Sequence, residues 1–429
     1  MWMGNKLVLV VSGLFAMTSV WVVEARPVLI EPKTDETVAL VSAEQKAFLD
    51  LPLSERRRWL VETNLYARLT RAGWRPQKVQ LSWTGTVGAV SVCGKKDGQT
   101  VFEQRLQDST SVEVGNLEVA ARYEWSVEDA SGKAQRAFST EDYAPRLLSV
   151  GGVPNFRDLG GRRGLQGHRV RQGLVYRSTG LNSNAKRVCR TVDELTSAAK
   201  AGWLEELLAG CIGSELEPLN VAEEVRRVTA RVNAGTLCAR DGERYIVASS
   251  LAKGKARLDG ETRTYLTNSL AIRTDVDLRS APECFGMEES PLGDNVRWVR
   301  HSSEAYSGVF SEKGKAAFRE VFRVFLEEGN YPIVFHCISG ADRTGTLAAI
   351  LNGLLGVAED DIYKDWETTA FHNTTGWFNH RERGFDRLIE GFDKFPGRTL
   401  NERIAGFVQS LGFTDADIER FRAIMLERN

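Results

Sequence analysis

The stretch YPIVFHCISGADRTGTLAAI, residues 331–350, places a cysteine between a predicted strand and a predicted helix. The apolar run IVF is typical of a buried strand, and an Ala/Leu-rich run with helical character follows Thr344. Cys337 begins the loop between the two elements, and Arg343 ends it. The cysteine could be a packing residue, half of a disulfide, a metal ligand or a nucleophile, and its neighbours favour the nucleophile.

A loop that follows a buried strand and precedes a helix directs backbone N–H groups into one concavity, and the helix N-terminus adds partial positive charge. Such a site suits a phosphate dianion, which the planar guanidinium of Arg343 can bind with two hydrogen bonds. Gly340 allows the tight curvature. The same field favours the thiolate of Cys337, and therefore a phosphocysteine mechanism. The predicted phosphate-binding loop contains Ile338, Ser339, Gly340, Ala341, Asp342 and Arg343.

Other roles for Cys337 explain less of the pattern. A buried inert thiol does not account for the glycine, arginine and threonine at these spacings. A metal site at His336 and Cys337 is disfavoured because adjacent strand residues point to opposite faces. The cysteines form no C-x-x-C pair, so a zinc site is not expected. No cofactor is predicted. Cys189, Cys211 and Cys238 are the best candidates for a disulfide.

Strand-like and helix-like segments alternate from residue 146 onward, which predicts an α/β domain with a largely parallel central sheet. The runs GLVYRS, IRTDVDLRS and RWVRHS are strand-like, whereas KAAFREVFRVFLEEG has apolar residues at helical spacing. Thr414 is predicted to cap the last helix, with Asp417 three residues further on. A helix-rich stretch at about 184–258 interrupts the alternation, and we interpret it as an insertion into this domain.

The N-terminus has the features of a secretory signal peptide over residues 1–25. Lys6 precedes an almost wholly apolar run, and cleavage is favoured after Ala25; an uncleaved anchor is the alternative. The mature chain would then be periplasmic or extracellular, without stable membrane insertion. The formal net charge of −1 argues against a role in coating nucleic acid.

The region before the α/β domain is predicted to have two parts. Residues 26–76 are charged and helix-like, and they indicate a helical or extended linker. Residues 77–144 consist of short alternating runs separated by turns, which predicts a small β-sandwich. This segment resembles a fibronectin type III module, through LSW at residues 81–83 and through Leu117 six residues before Tyr123.

The string HCISGADRTG, with VPNFRDLGG at residues 153–161 and IRTDVDLRS at residues 272–280, is similar to motifs of cysteine-dependent protein tyrosine phosphatases. Within these enzymes it most resembles an atypical bacterial group. The resemblance covers residues 146–429 apart from the predicted insertion. It implies an α/β fold with a tyrosine-phosphatase-like central sheet flanked by helices, preceded by the all-β sandwich. It also implies that Cys337 is the nucleophile and Arg343 the phosphate binder.

The resemblance implies further roles around the loop. Thr344 would hydrogen-bond the sulfur and ease its departure from phosphorus, and His336 would orient the loop and help to keep the pKa of the thiol low. The motif NFRDLGG would lie near the cleft, with Arg157 and Asp158, and Arg177 could be a cation of the substrate pocket. The alternatives are a surface Arg–Asp pair for the first two and a solvated strand end for Arg177.

The general acid is the least determined of the predicted roles. In the resembled group the aspartate of the loop itself can serve, which would make Asp342 the proton donor to the leaving oxygen and later the base that activates water. Asp277, Asp275 and Asp158 are competing candidates. Asp277 could instead be structural and pair with Arg279.

The predicted substrate is a phosphorylated protein or small phosphoester: phosphotyrosine, with phosphoserine or phosphothreonine as further possibilities. Members suited to highly phosphorylated lipids tend to have a lysine before the loop aspartate, where this chain has Ala341. A phosphoinositide or inositol-phosphate substrate is the alternative, followed by a non-catalytic phospho-ligand-binding protein. Trp377 and Phe378 could form an aromatic wall but are more readily explained as core residues. Cys284 could form a protective disulfide with Cys337, although a plain buried thiol is the simpler reading.

Overall fold

The computed structural model describes residues 26–61, 76–86, 88–181, 189–202, 204–205, 221–235, 244–246, 258–284, 289–372 and 382–428. The predicted signal peptide and the residues Cys211, Cys238, Trp377 and Phe378 lie outside these ranges, as does the side chain of Cys189. Within the described part of the chain, no helix has the length and apolar character needed to cross a bilayer.

The N-terminal third of the chain contains two β-sheets that face each other across an apolar core. The strands are β1 Val28–Glu31, β2 Thr37–Val38, β3 Val79–Thr84, β4 Ala89–Lys96, β5 Gln99–Gln107, β6 Ser111–Val114, β7 Arg122–Asp129 and β8 Gly132–Thr140. One sheet has the order β1-β3-β6 and the other β2-β8-β7-β4-β5. Alternate residues point inward on β3 and β7, as Leu81, Trp83 and Trp125 do, so these strands bury one face, whereas β5 is largely exposed. The backbone N–H of Glu118 donates to the hydroxyl of Tyr123 at 2.8 Å, which ties the chain to the start of β7.

Residues 26–61, which the sequence predicted as part of a linker, contribute two strands to the sandwich and two helices to the C-terminal domain. β1 and β2 belong to the two sheets, and strands of four and two residues are too short to show an alternating pattern in the sequence. They are followed by two helices, α1 Ala43–Leu49 and α2 Leu53–Val61. Ser42 begins α1 with a capping box, and Phe48 and Leu49 are completely buried in the core of the C-terminal domain.

The C-terminal domain is built on a five-stranded sheet. Its strands and those of the adjoining segment are β9 Arg157–Asp158, β10 Val175–Ser178, β11 Cys189–Thr191, β12 Arg244–Ile246, β13 Thr274–Asp277, β14 Arg297–Arg300 and β15 Ile333–His336. The order is β14-β13-β15-β10-β9, with β9 antiparallel at one edge and the other four parallel. Ile333 and Phe335 face the main core and Val334 faces a second apolar cluster, so both faces of the sheet are covered. The predicted α/β fold class is confirmed.

Helices surround this sheet. They are α3 Val192–Ala201, α4 Val221–Asn233, α5 Gly260–Thr264, α6 Glu312–Phe325, α7 Asp342–Leu354, α8 Glu359–Glu367, α9 Glu382–Gly391, α10 Leu400–Ser410 and α11 Asp415–Met425. The helix predicted from KAAFREVFRVFLEEG is α6. Its apolar residues at helical spacing are buried, namely Phe318, Val321, Phe322 and Phe325. Thr414 caps α11 in a capping box with Asp417, as predicted. Within the predicted insertion, α3 and α4 pack around a small cluster of their own.

Candidate active site

The C-terminal ends of the parallel strands meet at one edge of the sheet, and the loop from Cys337 to Arg343 lies there between β15 and α7. Gly340 has φ +66°, and a Cβ atom at this position would lie 2.4 Å from the carbonyl oxygen of Ser178. Only glycine fits such a position without a shift of the backbone. Asn155 also holds the loop, because its side-chain amide donates to the carbonyls of Ser339 and Gly340 at 3.2 and 3.1 Å.

The thiol of Cys337 lies in a field that favours the thiolate. The residue is 2% exposed, and burial alone would raise the pKa of its thiol. The positive charge of Arg343 and hydrogen bonding from the hydroxyl and N–H of Thr344 outweigh burial, so the pKa of Cys337 lies below its ordinary value. The role predicted for Thr344, a hydrogen bond from its hydroxyl to the sulfur, stays a prediction.

Arg343 is held in place by a carboxylate that the sequence did not single out. Its two terminal nitrogens donate to the two carboxylate oxygens of Glu283 at 2.7 and 2.9 Å. Ser280 donates to Glu283 through both its N–H and its hydroxyl at 2.7 Å. Burial would raise the pKa of Glu283, but these donors lower it to about 2. This end-on pairing fixes the guanidinium and leaves the edge formed by Nε and one terminal nitrogen for an anion.

His336 lies behind the loop, completely buried between two aspartates. Its Nε2 is 2.9 Å from Oδ1 of Asp275, and its Nδ1 is 3.2 Å from the carbonyl oxygen of Cys337. Burial would lower the pKa of His336, but the charges of Asp277 and Asp275 outweigh burial and raise it. The ring is thus placed to orient the backbone at Cys337, in line with its predicted role.

Two of the four candidate general acids are occupied by buried cations and backbone donors. Asp277 accepts from Nε and a terminal nitrogen of Arg279 at 2.8 and 2.6 Å, which is the structural pairing that the sequence left open. Asp158 accepts from Arg146 at 3.0 Å and from the N–H groups of Gly160 and Gly173. Both carboxylates are fully buried, so neither can reach a substrate oxygen without rearrangement.

The remaining two candidates, Asp275 and Asp342, differ in how far they are buried. Asp275 is fully buried and accepts from the hydroxyl of Ser290 at 2.7 Å, in addition to its ion pair with His336. Asp342 is only partly buried at the first turn of α7, and its charge acts directly on Cys337 and Arg343. Among the four, the geometry favours Asp342 as the group that exchanges protons at the cleft.

The comparisons with known proteins agree with this arrangement. A family model described as "Tyrosine phosphatase family" matches residues 148–198 and 252–427. The chain belongs to the tyrosine phosphatase family. The unmatched residues 199–251 lie within the predicted insertion.

Two relatives carry corresponding names. A Cupriavidus necator protein named "Putative tyrosine-protein phosphatase" is 28% identical over 234 residues, which are 52% of this chain and 66% of that protein. A Nostoc commune protein named "Tyrosine-protein phosphatase" is 29% identical over 77 residues, which are 18% of this chain and 22% of that protein. The chain therefore spans less than two thirds of the length of either relative.

Arg157, Asp158 and Arg177, which the sequence predicted as possible residues of a substrate pocket, are all fully buried, and their predicted position is corrected. Both guanidiniums are fully buried and share the carboxylate of Asp365 in α8. A terminal nitrogen of Arg177 also donates to the carbonyl of Gly340 at 2.7 Å, so the arginine supports the loop from behind. Arg162 adds a third guanidinium 3.6 Å from Asp365.

This cluster has an excess of positive charge. Burial would raise the pKa of Asp365, but the three guanidiniums lower it well below its ordinary range. Burial and the neighbouring Arg177 lower the pKa of Arg157 to about 9. The site consequently rests on a buried cationic cluster, and the charge of Arg177 within it favours an anionic sulfur at Cys337.

Cys284 is a poor partner for a protective disulfide in this geometry. It is buried, and its thiol donates to Oδ2 of Asp277 at 3.4 Å. Burial and the charge of Asp277 raise the pKa of Cys284 to about 12. A thiol of this kind remains protonated and unreactive, which favours the plain buried thiol. Among the described residues, no group of three or more potential ligands is arranged to hold a metal ion.

Proposed function

We propose that this chain is an exported phosphatase that hydrolyses phosphomonoesters, phosphotyrosine first, through a phosphocysteine intermediate. The observation that carries the proposal is the buried sulfur of Cys337 at the base of a glycine-dependent loop, with its pKa lowered by Arg343 and Thr344. Membership of the tyrosine phosphatase family supports the same chemistry.

The reaction proceeds in two displacement steps. The thiolate of Cys337 attacks phosphorus while Arg343 and the loop N–H groups bind the phosphoryl oxygens, and Asp342 gives a proton to the departing oxygen. Asp342 then takes a proton from water, which attacks phosphorus, and Thr344 stabilises the sulfur as the P–S bond breaks.

Residue 341 supports a substrate with a single phosphate. Ala341 is 3% exposed, and within the loop Arg343 is the one side chain with a formal positive charge. Phosphotyrosine, with phosphoserine or phosphothreonine as slower substrates, fits this charge better than a phosphoinositide or inositol phosphate. A panel of phosphotyrosine peptide, phosphoserine peptide, phosphoinositide and inositol hexakisphosphate tests the choice, and faster turnover of the polyphosphorylated compounds would reverse it.

The enzyme proposal is tested by the hydrolysis of p-nitrophenyl phosphate under reducing conditions. Cys337→Ser should abolish turnover, whereas Cys93→Ser, which changes a partly buried free cysteine of β4, should leave it unchanged. Acid-quenched reactions with labelled substrate should show phosphate bound to Cys337. A protein that binds phosphate but turns over no substrate would support the alternative of a non-catalytic phospho-ligand-binding protein.

Export is proposed from the apolar run after Lys6. Expression of the full chain in a bacterium should give a periplasmic or secreted product that begins at Arg26. A product that retains residues 1–25 in the membrane fraction would favour the uncleaved anchor.

A further inference from the structure

Tyr306 lies beside the first turn of α7 and is fixed there through both its side chain and its backbone. Its hydroxyl donates to Oδ1 of Asp342 at 2.5 Å. Its backbone N–H donates to the hydroxyl oxygen of Thr346 at 2.7 Å, and that hydroxyl donates to the carbonyl of Asp342 at 2.9 Å. Tyr306 is therefore bound directly to the side chain of Asp342 and, through Thr346, to its main chain.

The conformation of Tyr306 is one that its surroundings must stabilise. It has φ +53°, a left-handed conformation that costs a non-glycine residue about 1–3 kcal/mol. Its ring meets Trp366 edge-on, with centroids 6.4 Å apart. A Cβ atom at Gly384 would lie 2.8 Å from the same ring. The ring thus packs between α8 and α9 while its hydroxyl reaches the loop, and the residue remains partly exposed.

We propose that Tyr306 is a positioning residue for Asp342, an inference that rests on the proposed function. Because the tyrosine hydroxyl donates to Oδ1, the exchangeable proton of the acid form resides on Oδ2. The bond also restricts rotation of the carboxyl group. Tyr306 therefore holds the carboxyl group in one orientation while Asp342 acts as acid and as base.

The proton balance follows from this assignment. In the first step the sulfur of Cys337 bonds to phosphorus, the ester P–O bond breaks with its electron pair on oxygen, and the Oδ2 proton of Asp342 moves to that oxygen. In the second step water gives a proton to Oδ2, its oxygen bonds to phosphorus, and the P–S bond breaks to restore the thiolate. Tyr306 keeps its own proton throughout.

The test compares two leaving groups, because a positioned acid matters only when the departing oxygen is basic. We expect Tyr306→Phe to lower kcat/KM for phenyl phosphate by about tenfold, the effect of one hydrogen bond to a charged group. For 2,4-dinitrophenyl phosphate, whose leaving oxygen needs no proton, the loss should stay below about twofold. Phenylalanine retains the ring contacts with Trp366 and Gly384, so the fold should be preserved.

The matched control is Tyr143→Phe, which removes another tyrosine–carboxylate hydrogen bond, from Tyr143 to Asp50 at 2.7 Å, outside the site. This control should leave kcat/KM unchanged for both substrates. In an Asp342→Asn background, Tyr306→Phe should have no further selective effect. Equal losses with both substrates, or none, would overturn the positioning role and leave the proposed function intact. A wild-type protein that hydrolyses neither substrate would refute the proposed function, and with it this inference.

Discussion

Replacement of Glu283 by glutamine tests whether the internal ion pair prepares Arg343 for phosphate. Glutamine keeps the shape and one acceptor oxygen but removes the charge and the second acceptor. The pKa of Glu283 falls from 4.5 to about 2, and each unit corresponds to about 1.4 kcal/mol, so the full coupling is about 3.4 kcal/mol. Ser280 supplies part of this coupling, and solvent screens the pair because 27% of the Glu283 side chain is exposed. We therefore assign about 1.5 kcal/mol to Arg343.

That energy predicts about a tenfold rise in the inhibition constant for inorganic phosphate against p-nitrophenyl phosphate turnover at pH 7. It also predicts a loss of about 1–2 kcal/mol in the free energy of unfolding, measured with urea. Because the folded-state pKa of Glu283 is depressed, this contribution is present above pH 4.5 and is lost as the pH falls towards 2. The difference between the variant and the wild type should accordingly shrink at pH 3.5.

The matched control is Glu320→Gln, which removes an exposed ion pair with Arg323 on α6 and should cost less than about 0.5 kcal/mol. Unchanged phosphate inhibition in Glu283→Gln would refute the claim that the pair prepares Arg343. A stability loss of the same size at pH 3.5 and pH 7 would show that the effect is not electrostatic.

Three further predictions concern the loop and its supports. Arg56→Met should cost about 3–5 kcal/mol in unfolding free energy, because it leaves the buried Glu367 carboxylate without its guanidinium, which donates at 2.5 Å; a loss below 1 kcal/mol would contradict this. At pH 7 iodoacetamide should label Cys337 and spare Cys284, whose pKa is about 12, with mass spectrometry as the readout; equal labelling would be inconsistent with these pKa values. Gly340→Ala should remove nearly all turnover while the folded protein survives, since a Cβ atom would collide with the neighbouring strand; retained activity would show that the loop can shift.

Local patterns were sufficient to predict the loop, its flanking strand and helix, and the cap of α11. The residues from Cys337 to Thr344 are contiguous, so their order in the sequence is sufficient to predict which of them lie together in the loop. Gly340 follows from a backbone preference that acts at a single residue, whereas the helix begins at Asp342, earlier than the start after Thr344 that the sequence predicted.

Glu283 and Asp365, which support the loop through Arg343 and Arg177, were not predicted, because their partners are remote in sequence. Glu283 is 60 residues from Arg343, and Asp365 is 188 residues from Arg177. In EDDIYKDWE an acidic residue is typical of a solvated helix face, and only the packing of α8 under the loop shows that Asp365 is buried. A charged residue at the buried end of a predicted strand, as at Arg177, is the one local sign that a buried partner was required.

The route of the chain has a practical consequence. After β1 and β2 it leaves the sandwich, places α1 and α2 on the C-terminal domain, and returns to the sandwich at β3 before entering the C-terminal domain finally. The sandwich and the C-terminal domain are therefore not consecutive along the chain, because α1 and α2 of the C-terminal core lie between strands of the sandwich. A fragment that begins at residue 148, where the family match begins, would lack the two helices that supply Phe48 and Arg56. The complementary N-terminal fragment would retain these helices without the domain against which they pack. We therefore expect a fragment without α1 and α2 to be less stable than the full chain, so enzymology is best begun on the full chain.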